Sequence, residues 1–229
     1  DTSTKTVDLD IAKPGTPEFS GEITVKEEGL EDGSKASENS ETATWSAPEG
    51  YTVVSASGAS LGIIKSTESG FSYTLSDNLL ENGEGQNTAL DADSVTVVLK
   101  DALGNTHTVT VDVNVVDDVP VINTLDLSSS GIQSGATVSG SVDITWGADG
   151  EASSNAITVN GKSGTESDGK LVFELEHGDL TLSADGSFSF KADANVTGTQ
   201  SFAFEVKDAD GDTSTKTVDL DIAKPGTPE

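Results

Sequence analysis

Asp208, Asp210 and Asp212 alternate with small residues in the run Asp208-Ala-Asp210-Gly-Asp212, and Asp117 and Asp118 stand side by side far upstream. Carboxylates this close together repel one another unless a positive charge sits between them. Other acids gather in Glu27-Glu28-Gly-Leu-Glu31-Asp32, at Asp91 and Asp93, and in Ala148-Asp149-Gly-Glu151. Oxygen-rich, flexible loops of this kind suit calcium, which takes about six to eight oxygens at about 2.3–2.6 Å, better than magnesium, which gives up its water reluctantly. The candidate calcium ligands are Asp117, Asp118, Asp208, Asp210, Asp212, Asp149, Glu28, Asp91 and Asp93. The plainer explanation is that Asp and Gly are frequent in turns for backbone reasons alone.

Other chemistry finds little support. An EF-hand would need glycine at loop position 6, whereas Gly211 falls at position 4, position 12 is Asp219, and a strand pattern follows instead of a helix. His107 and His177 are the two histidines, one in each half of the chain, and neither has a Ser or Cys motif beside it, so no enzyme is expected. Trp45 and Trp146 could serve as saccharide platforms, but a lone Trp in a strand is more often core. An adhesive ligand- or glycan-binding module is the alternative function.

Composition narrows the partners. Forty acidic residues against twelve basic ones give a net charge of −28, and every base is lysine. Without arginine there is no bidentate grip on phosphate, and the overall field repels nucleic acid and anionic membrane. No apolar run approaches the roughly 20 residues of a membrane span. The absence of cysteine removes disulfides, thiolate metal sites and Cys nucleophiles together. An acidic, cysteine-free chain fits an exported surface protein, and a monomer is expected.

The elements that must position these acids are strands. Period-two alternation marks Glu22–Lys26, Ser94–Lys100, Thr106–Val116, Ser187–Lys191 and Ser201–Lys207, separated by Gly, Asp, Asn and Ser. Residues 1–18 return letter for letter as 212–229, so the chain is one period of a tandem array plus a short overlap, and the polypeptide is expected to continue on both sides. A second, weaker repeat lies within the period: KDALGNTHTVTVDVNVV at 100–116 answers KDADGDTSTKTVDLDIA at 207–223. The expected fold is all-β, with two tandem immunoglobulin-like β-sandwich domains. Residues 1–12 would be the last strand of the preceding repeat, unpaired or added to a neighbour's sheet edge, and 13–18 a Pro-rich linker. Unit one would span 19–116, an acidic linker 117–120 and unit two 121–223, with 224–229 starting the next linker.

Topology then brings distant acids together. The last strand of a sandwich leaves at the pole facing the next domain, so the turn that begins it lies at the opposite pole, beside the incoming linker. For unit two this sets Asp208–Asp212 against Asp117–Asp118. The loop after the first strand of unit one, with Glu28, and the turn expected before its second-last strand, with Asp91 and Asp93, would face the same junction. Asp149 and Glu151 are expected between the second and third strands of unit two. The matching turn in unit one, Asp101-Ala-Leu103-Gly-Asn105, has lost two of the three acids, so calcium there is weaker or absent and the array would alternate two kinds of joint.

The segment 178–223, with its Leu-Thr-Leu strand, Ala-Asp-Gly, alternating phenylalanines and Asp-Ala-Asp-Gly-Asp-Thr turn, resembles the extender repeats of giant bacterial RTX adhesins. The stretches 142–150 and 21–33 are similar to openings of such units. The resemblance implies immunoglobulin-like or cadherin-like spacer domains, type I secretion, an extracellular place on the bacterial surface, and joints stiffened by calcium. It also implies Asp208, Asp210, Asp212, Asp117 and Asp118 as ligands, and neighbouring repeats of the same chain as partners. Unit one departs from the pattern at Leu103 and Asn105.

Overall fold

The computed structural model describes residues 21–80 and 85–225. The expected strand 1–12, the linker 13–18 and most of 224–229 lie outside the described residues. Among the described residues there are strands and two short 3-10 turns, and no helix is long and apolar enough to cross a membrane.

Seven strands build the first sandwich: β1 (Gly21–Lys26), β2 (Thr42–Ser46), β3 (Tyr51–Ser57), β4 (Gly62–Thr67), β5 (Gly70–Leu75), β6 (Thr88–Asp101) and β7 (Thr106–Val116). One sheet runs β1-β7-β6-β3 and the other β2-β5-β4. The second sandwich follows with β8 (Val121–Leu127), β9 (Gly131–Gln133), β10 (Thr137–Thr145), β11 (Ile157–Val159), β12 (Lys162–Ser163), β13 (Thr165–Ser167), β14 (Lys170–Glu174), β15 (Gly178–Ser183), β16 (Ser187–Ala192), β17 (Gly198–Lys207) and β18 (Thr213–Ala223). Its sheets run β13-β14-β15-β16-β10-β8 and β12-β11-β17-β18-β9. In both sandwiches an early strand lies parallel to the last one: β1 beside β7, and β9 beside β18. All five runs that alternate in sequence are strands, because alternation gives each one a face to bury.

The two cores differ in filling. The first is mostly valine, with Val25, Val95, Val97, Val111, Val113 and Val115 fully buried beside Tyr73 and Leu99. The second is built on Phe173, Phe188, Phe190, Phe202 and Phe204, and Phe190 meets Phe202 edge-on at 4.9 Å. Burying each such side chain stabilises the fold by about 1.5–3 kcal/mol. Both tryptophans pack against their own core, each half-buried, and Trp45 stacks on Phe71 with ring centroids 5.6 Å apart.

The two sandwiches meet at the joint. Ala148, which belongs to the second sandwich, is buried against the first core. The linker between β7 and β8 is only four residues, and Asp117 and Asp118 in it are buried.

Candidate metal centre

Three strands carry their buried alternation one step past the apolar run and end it on a carboxylate. Ile23 and Val25 of β1 are followed in phase by Glu27. Val111, Val113 and Val115 of β7 are followed by Asp117. Phe202, Phe204 and Val206 of β17 are followed by Asp208. Because side chains alternate with period two, each acid points the way its apolar predecessors point. Glu27, Asp117 and Asp208 are accordingly 0% exposed.

These strand ends meet at the seam between the sandwiches. Ligand oxygens of Glu27, Asp117 and Asp149 lie within 4.8 Å of one another, as do those of Asp117, Asp210 and Asp212, and those of Asp149, Asp208 and Asp210. The three triads share members, so six carboxylates of the described residues form one continuous group.

Backbone donors secure one oxygen of most of these acids. Asp117 Oδ1 accepts from the Asp118 N–H at 2.9 Å. Asp208 Oδ1 accepts from the N–H groups of Gly211 at 3.1 Å and Asp212 at 2.7 Å. Across the seam, the Gly85 N–H donates to Asp212 Oδ1 and Asn78 Nδ2 to Asp149 Oδ1. Glu27 Oε1 accepts from the Leu79 N–H at 2.6 Å. Gly211 has φ +116°, which lets the turn bring Asp208 and Asp212 together without Cβ strain.

The second oxygens are different. Oδ2 of Asp117, Asp149, Asp208, Asp210 and Asp212 is buried, and none of the five has a hydrogen-bond donor among the described residues. Ionised carboxylates about 4 Å apart repel by roughly 4 kcal/mol per pair at an effective dielectric near 20. That exceeds the roughly 0.5–1.5 kcal/mol of an ordinary hydrogen bond. A solvated-turn explanation does not cover acids this buried and this close.

The protonation equilibria respond accordingly. Burial, then the Asp212 carboxyl and the charges of Asp210 and Glu27, push Asp117 up to about 8. Burial and the neighbouring Asp210 push Asp208 up to about 8 as well. Glu27 rises to about 7, chiefly through burial, although the Leu79 N–H opposes the shift. Asp149 is raised by burial and by Asp210 and Asp118, against the pull of Asn78.

The remaining expected residues lie elsewhere or are already satisfied. Asp118 is at the seam, but its carboxylate accepts from the Ser34 N–H at 2.7 Å, the Ser34 hydroxyl at 2.5 Å and the Ala148 N–H at 3.1 Å. It buttons the linker to a loop of unit one and to the Trp146–Glu151 segment, and it is outside the triads. Glu28 is also outside them. Its carboxylate takes Lys35 at 2.8 Å and Lys26 at 3.1 Å, and these lysines, Lys35 first, hold it below its usual range despite burial. Glu27, one residue earlier and in phase with the β1 core, joins the seam instead; the alternation of Ile23 and Val25 was the signal for it.

Asp91 and Asp93 need the larger correction. They are not in a turn ahead of the second-last strand but inside β6, where the pairing with β7 skips between Ala89 and Asp93. The bulge turns them apart. Asp91 is exposed at φ +54°, and its N–H donates to Asn114 Oδ1. Asp93 points inward and accepts from the N–H groups of Ser60, Leu61 and Ser94 and the hydroxyls of Ser60 and Tyr73. Burial would raise its pKa, but those donors outweigh burial and hold it low.

Asp149 and Glu151 fall between the third and fourth strands of the second sandwich, since the short β9 intervenes. Glu151 is exposed, and its backbone bridges to Asp208. His107 meets Asp101 at 3.3 Å and the ring of Tyr51, while His177 contacts Gln200, so each histidine is held within its own sandwich.

Among the described residues, the seam thus offers six carboxylates from two sandwiches and the linker, and five of them keep a buried oxygen with no donor. Residues 117–221 match the family of bacterial Ig domains. The matched span opens on Asp117 and includes the whole Asp208–Asp212 turn.

No curated protein sequence matches the chain. Among solved structures, the N-terminal eight Ig domains of Down Syndrome Cell Adhesion Molecule are 15% identical, with 89% of this chain and 23% of that one covered and a TM-score of 0.34. The human desmocollin-1 ectodomain is 14% identical, with 91% and 36% covered and a TM-score of 0.31. The tandem Ig repeats of Dlar are 11% identical, with 90% and 95% covered and a TM-score of 0.30. The chain spans less than half the length of the first two.

Proposed function

We propose that this chain is a structural extender segment of a surface-anchored bacterial adhesin, in which calcium locks one sandwich to the next and the array projects a distal binding tip. Five buried carboxylate oxygens without donors among the described residues, one from the linker and four from the second sandwich, gathered beside Glu27 of the first, carry this reading. Calcium would be held by Asp117, Asp149, Asp208, Asp210 and Asp212 together with Glu27, and it would supply positive charge where the fold has collected only negative. Six carboxylates suit an ion that takes about six to eight oxygens without strict geometry, which favours calcium over magnesium.

The role is mechanical. With the charge cancelled, the angle between the sandwiches is fixed by Asp118, Asn78 and the Gly85 N–H across the seam; with the ion removed, repulsion among the same acids opens it. The partners are neighbouring repeats, the location is outside the cell after type I secretion, and no catalysis is assigned. The letter-for-letter return of residues 1–18 supports a spacer, since repetition builds length.

Small-angle scattering and thermal unfolding with calcium and with EDTA test the proposal. Calcium is expected to give the narrower distribution of maximum dimensions and the higher melting temperature, by about 3 kcal/mol of stability when calcium is a hundredfold above its Kd. Identical scattering and melting in the two conditions would overturn it.

A further inference from the structure

The second sandwich contains a cavity of about 430 Å³ that shares no carboxylate with the seam. It lies where the end of β10, β11 and the β13–β14 hairpin converge. Its depth is apolar: Val142 and Leu182 are buried, and Ile144, Ile157 and Leu171 are half-buried. Trp146 forms part of the wall. The charged lining residues are all exposed: the acids Asp143, Glu151, Glu166 and Asp185, and Lys170. Lys170 is the one lining base, and it lies near Asp185, whose carboxyl is held low by Ser187 and then by that lysine. Three acids are left uncompensated.

The size is that of a small-ligand site, and the lining selects the ligand's character. An anion is repelled by the mouth and by the charge of the whole chain. A purely apolar ligand would bury carboxylates without partners, which is costly. A neutral sugar gains nothing from the excess of negative charge. A primary ammonium on a short aliphatic chain satisfies every part of the lining: the chain covers the apolar depth, and the cation meets both the Trp146 ring and the acids.

We propose that this cavity binds alkylammonium groups, with Trp146 as its aromatic wall and Asp143, Glu151 and Glu166 as the charge partners. A lysine side chain and a free polyamine share this chemistry. The inference is independent of calcium at the seam, because the two sites have no carboxylate in common.

Methyl NMR of the whole chain tests it, read at Ile144, Ile157 and Leu171 in saturating calcium and again in EDTA. The probes are cadaverine, Nα-acetyl-lysine amide and, as a neutral control, glucose. Saturable shifts confined to these methyls are expected with either amine, with equal affinity in calcium and in EDTA. A stronger response to the lysine amide marks a protein ligand, and a stronger response to cadaverine marks a polyamine. Trp146→Ala is expected to weaken binding about tenfold. Should that variant lose its dispersed spectrum, Glu166→Lys serves instead, with a loss of similar size. Non-saturating shifts spread over the acidic surface, binding seen only in EDTA, or saturation by glucose while the amines are silent would each overturn the proposal.

Discussion

The turn at Asp101–Asn105 and the turn at Asp208–Asp212 are built alike and behave in opposite ways. Each opens the last strand of its sandwich, and each is closed by a backbone bond, from the Asp101 N–H to the Asn105 carbonyl at 3.0 Å and from the Asp208 N–H to the Asp212 carbonyl at 3.1 Å. In each, the leading aspartate spends Oδ1 on two N–H groups of its own turn: Leu103 and Asn105 in one, Gly211 and Asp212 in the other. The difference lies in the second oxygen. Asp101 Oδ2 accepts from the Asn105 side chain at 2.9 Å and contacts His107. Asp208 Oδ2 is buried with no donor among the described residues. Asn105 chiefly holds the Asp101 carboxyl down at about 2, while burial lifts the Asp208 carboxyl to about 8.

The lesson is that the first oxygen makes the turn and the second decides its use. Replacing Asn105 by an aspartate, as at position 212, exchanges a donor for an acceptor and removes the partner that the turn itself gives Oδ2, leaving only the longer His107 contact. Replacing Leu103 by Asp210 adds another charge. Leu103 itself is 72% exposed. A self-contained turn thereby becomes one that is incomplete without an external cation.

Removing the leading aspartate from each turn should separate them most widely. Asp208→Asn is expected to lower calcium affinity about a hundredfold, since a charged ligand is lost and disturbances one shell further out already cost about 10–100-fold. Asp101→Asn should leave calcium affinity unchanged and lower the melting temperature of the first sandwich by a few degrees. Calorimetric titration and differential scanning calorimetry check the pair. Equal loss of calcium affinity in both variants would abolish the distinction.

The pH dependence should also run in opposite directions. In EDTA, Asp117 and Asp208 titrate near 8 when folded against 3.8 ordinarily. Between those values the native state binds more protons than the unfolded one, so seam stability is expected to fall as pH rises from about 4 to about 8. Asp101 titrates near 2 when folded. Its contribution is present above about 4 and should be lost as pH falls toward 2. Single-tryptophan variants retaining Trp45 or Trp146 report the two sandwiches separately by fluorescence-detected melting. Calcium should reverse the seam's trend, because the metal binds the deprotonated acids.

A third substitution sharpens the electrostatic account of the seam alone. Asp210→Asn removes one charge that raises its buried neighbours while leaving the turn's backbone bonds in place. It is expected to stabilise the metal-free protein at pH 8 by about 1 kcal/mol and to weaken calcium binding at the same time. Urea unfolding with and without EDTA gives both numbers. Destabilisation in EDTA would mean that repulsion is not the dominant force there.

Much of this was legible in the residues. The five alternating runs are strands because alternation directly encodes which face is buried, and the tandem repeat of 100–116 in 207–223 marked two sandwiches. Sandwich topology sets Asp117 beside Asp208–Asp212, and the structure brings them together. Glu27 was missed although its signal was local, the continuation of Ile23 and Val25. The roles of Asp93, Asp118 and Glu28 could not be read locally. Whether a buried carboxylate is satisfied depends on donors from Ser60, Ser34 or Lys35, which tertiary packing delivers. The β6 bulge that separates Asp91 from Asp93 likewise depends on register with β7.

The smallest expected effect comes from grafting one turn's sequence onto the other. Leu103→Asp with Asn105→Asp converts 101–105 to the sequence of 208–212. If turn sequence alone made the metal site, the graft would bind calcium as the natural seam does. In the seam, however, the turn contributes only Asp208, Asp210 and Asp212 of six carboxylates; Asp117, Asp149 and Glu27 come from the linker, the β10–β11 loop and the other sandwich. The graft is therefore expected to add at most weak calcium binding, because isolated exposed carboxylates remain hydrated and screened. Its cost to the first sandwich should stay small, because Asp101 Oδ1 keeps its backbone donors and only the Asn105 side-chain bond to Oδ2 is lost. Titration calorimetry of the double variant, read beside the unchanged seam as an internal standard, measures how much of a metal site a turn can encode by itself. A second site of equal affinity in the graft would show that the turn carries the whole of it.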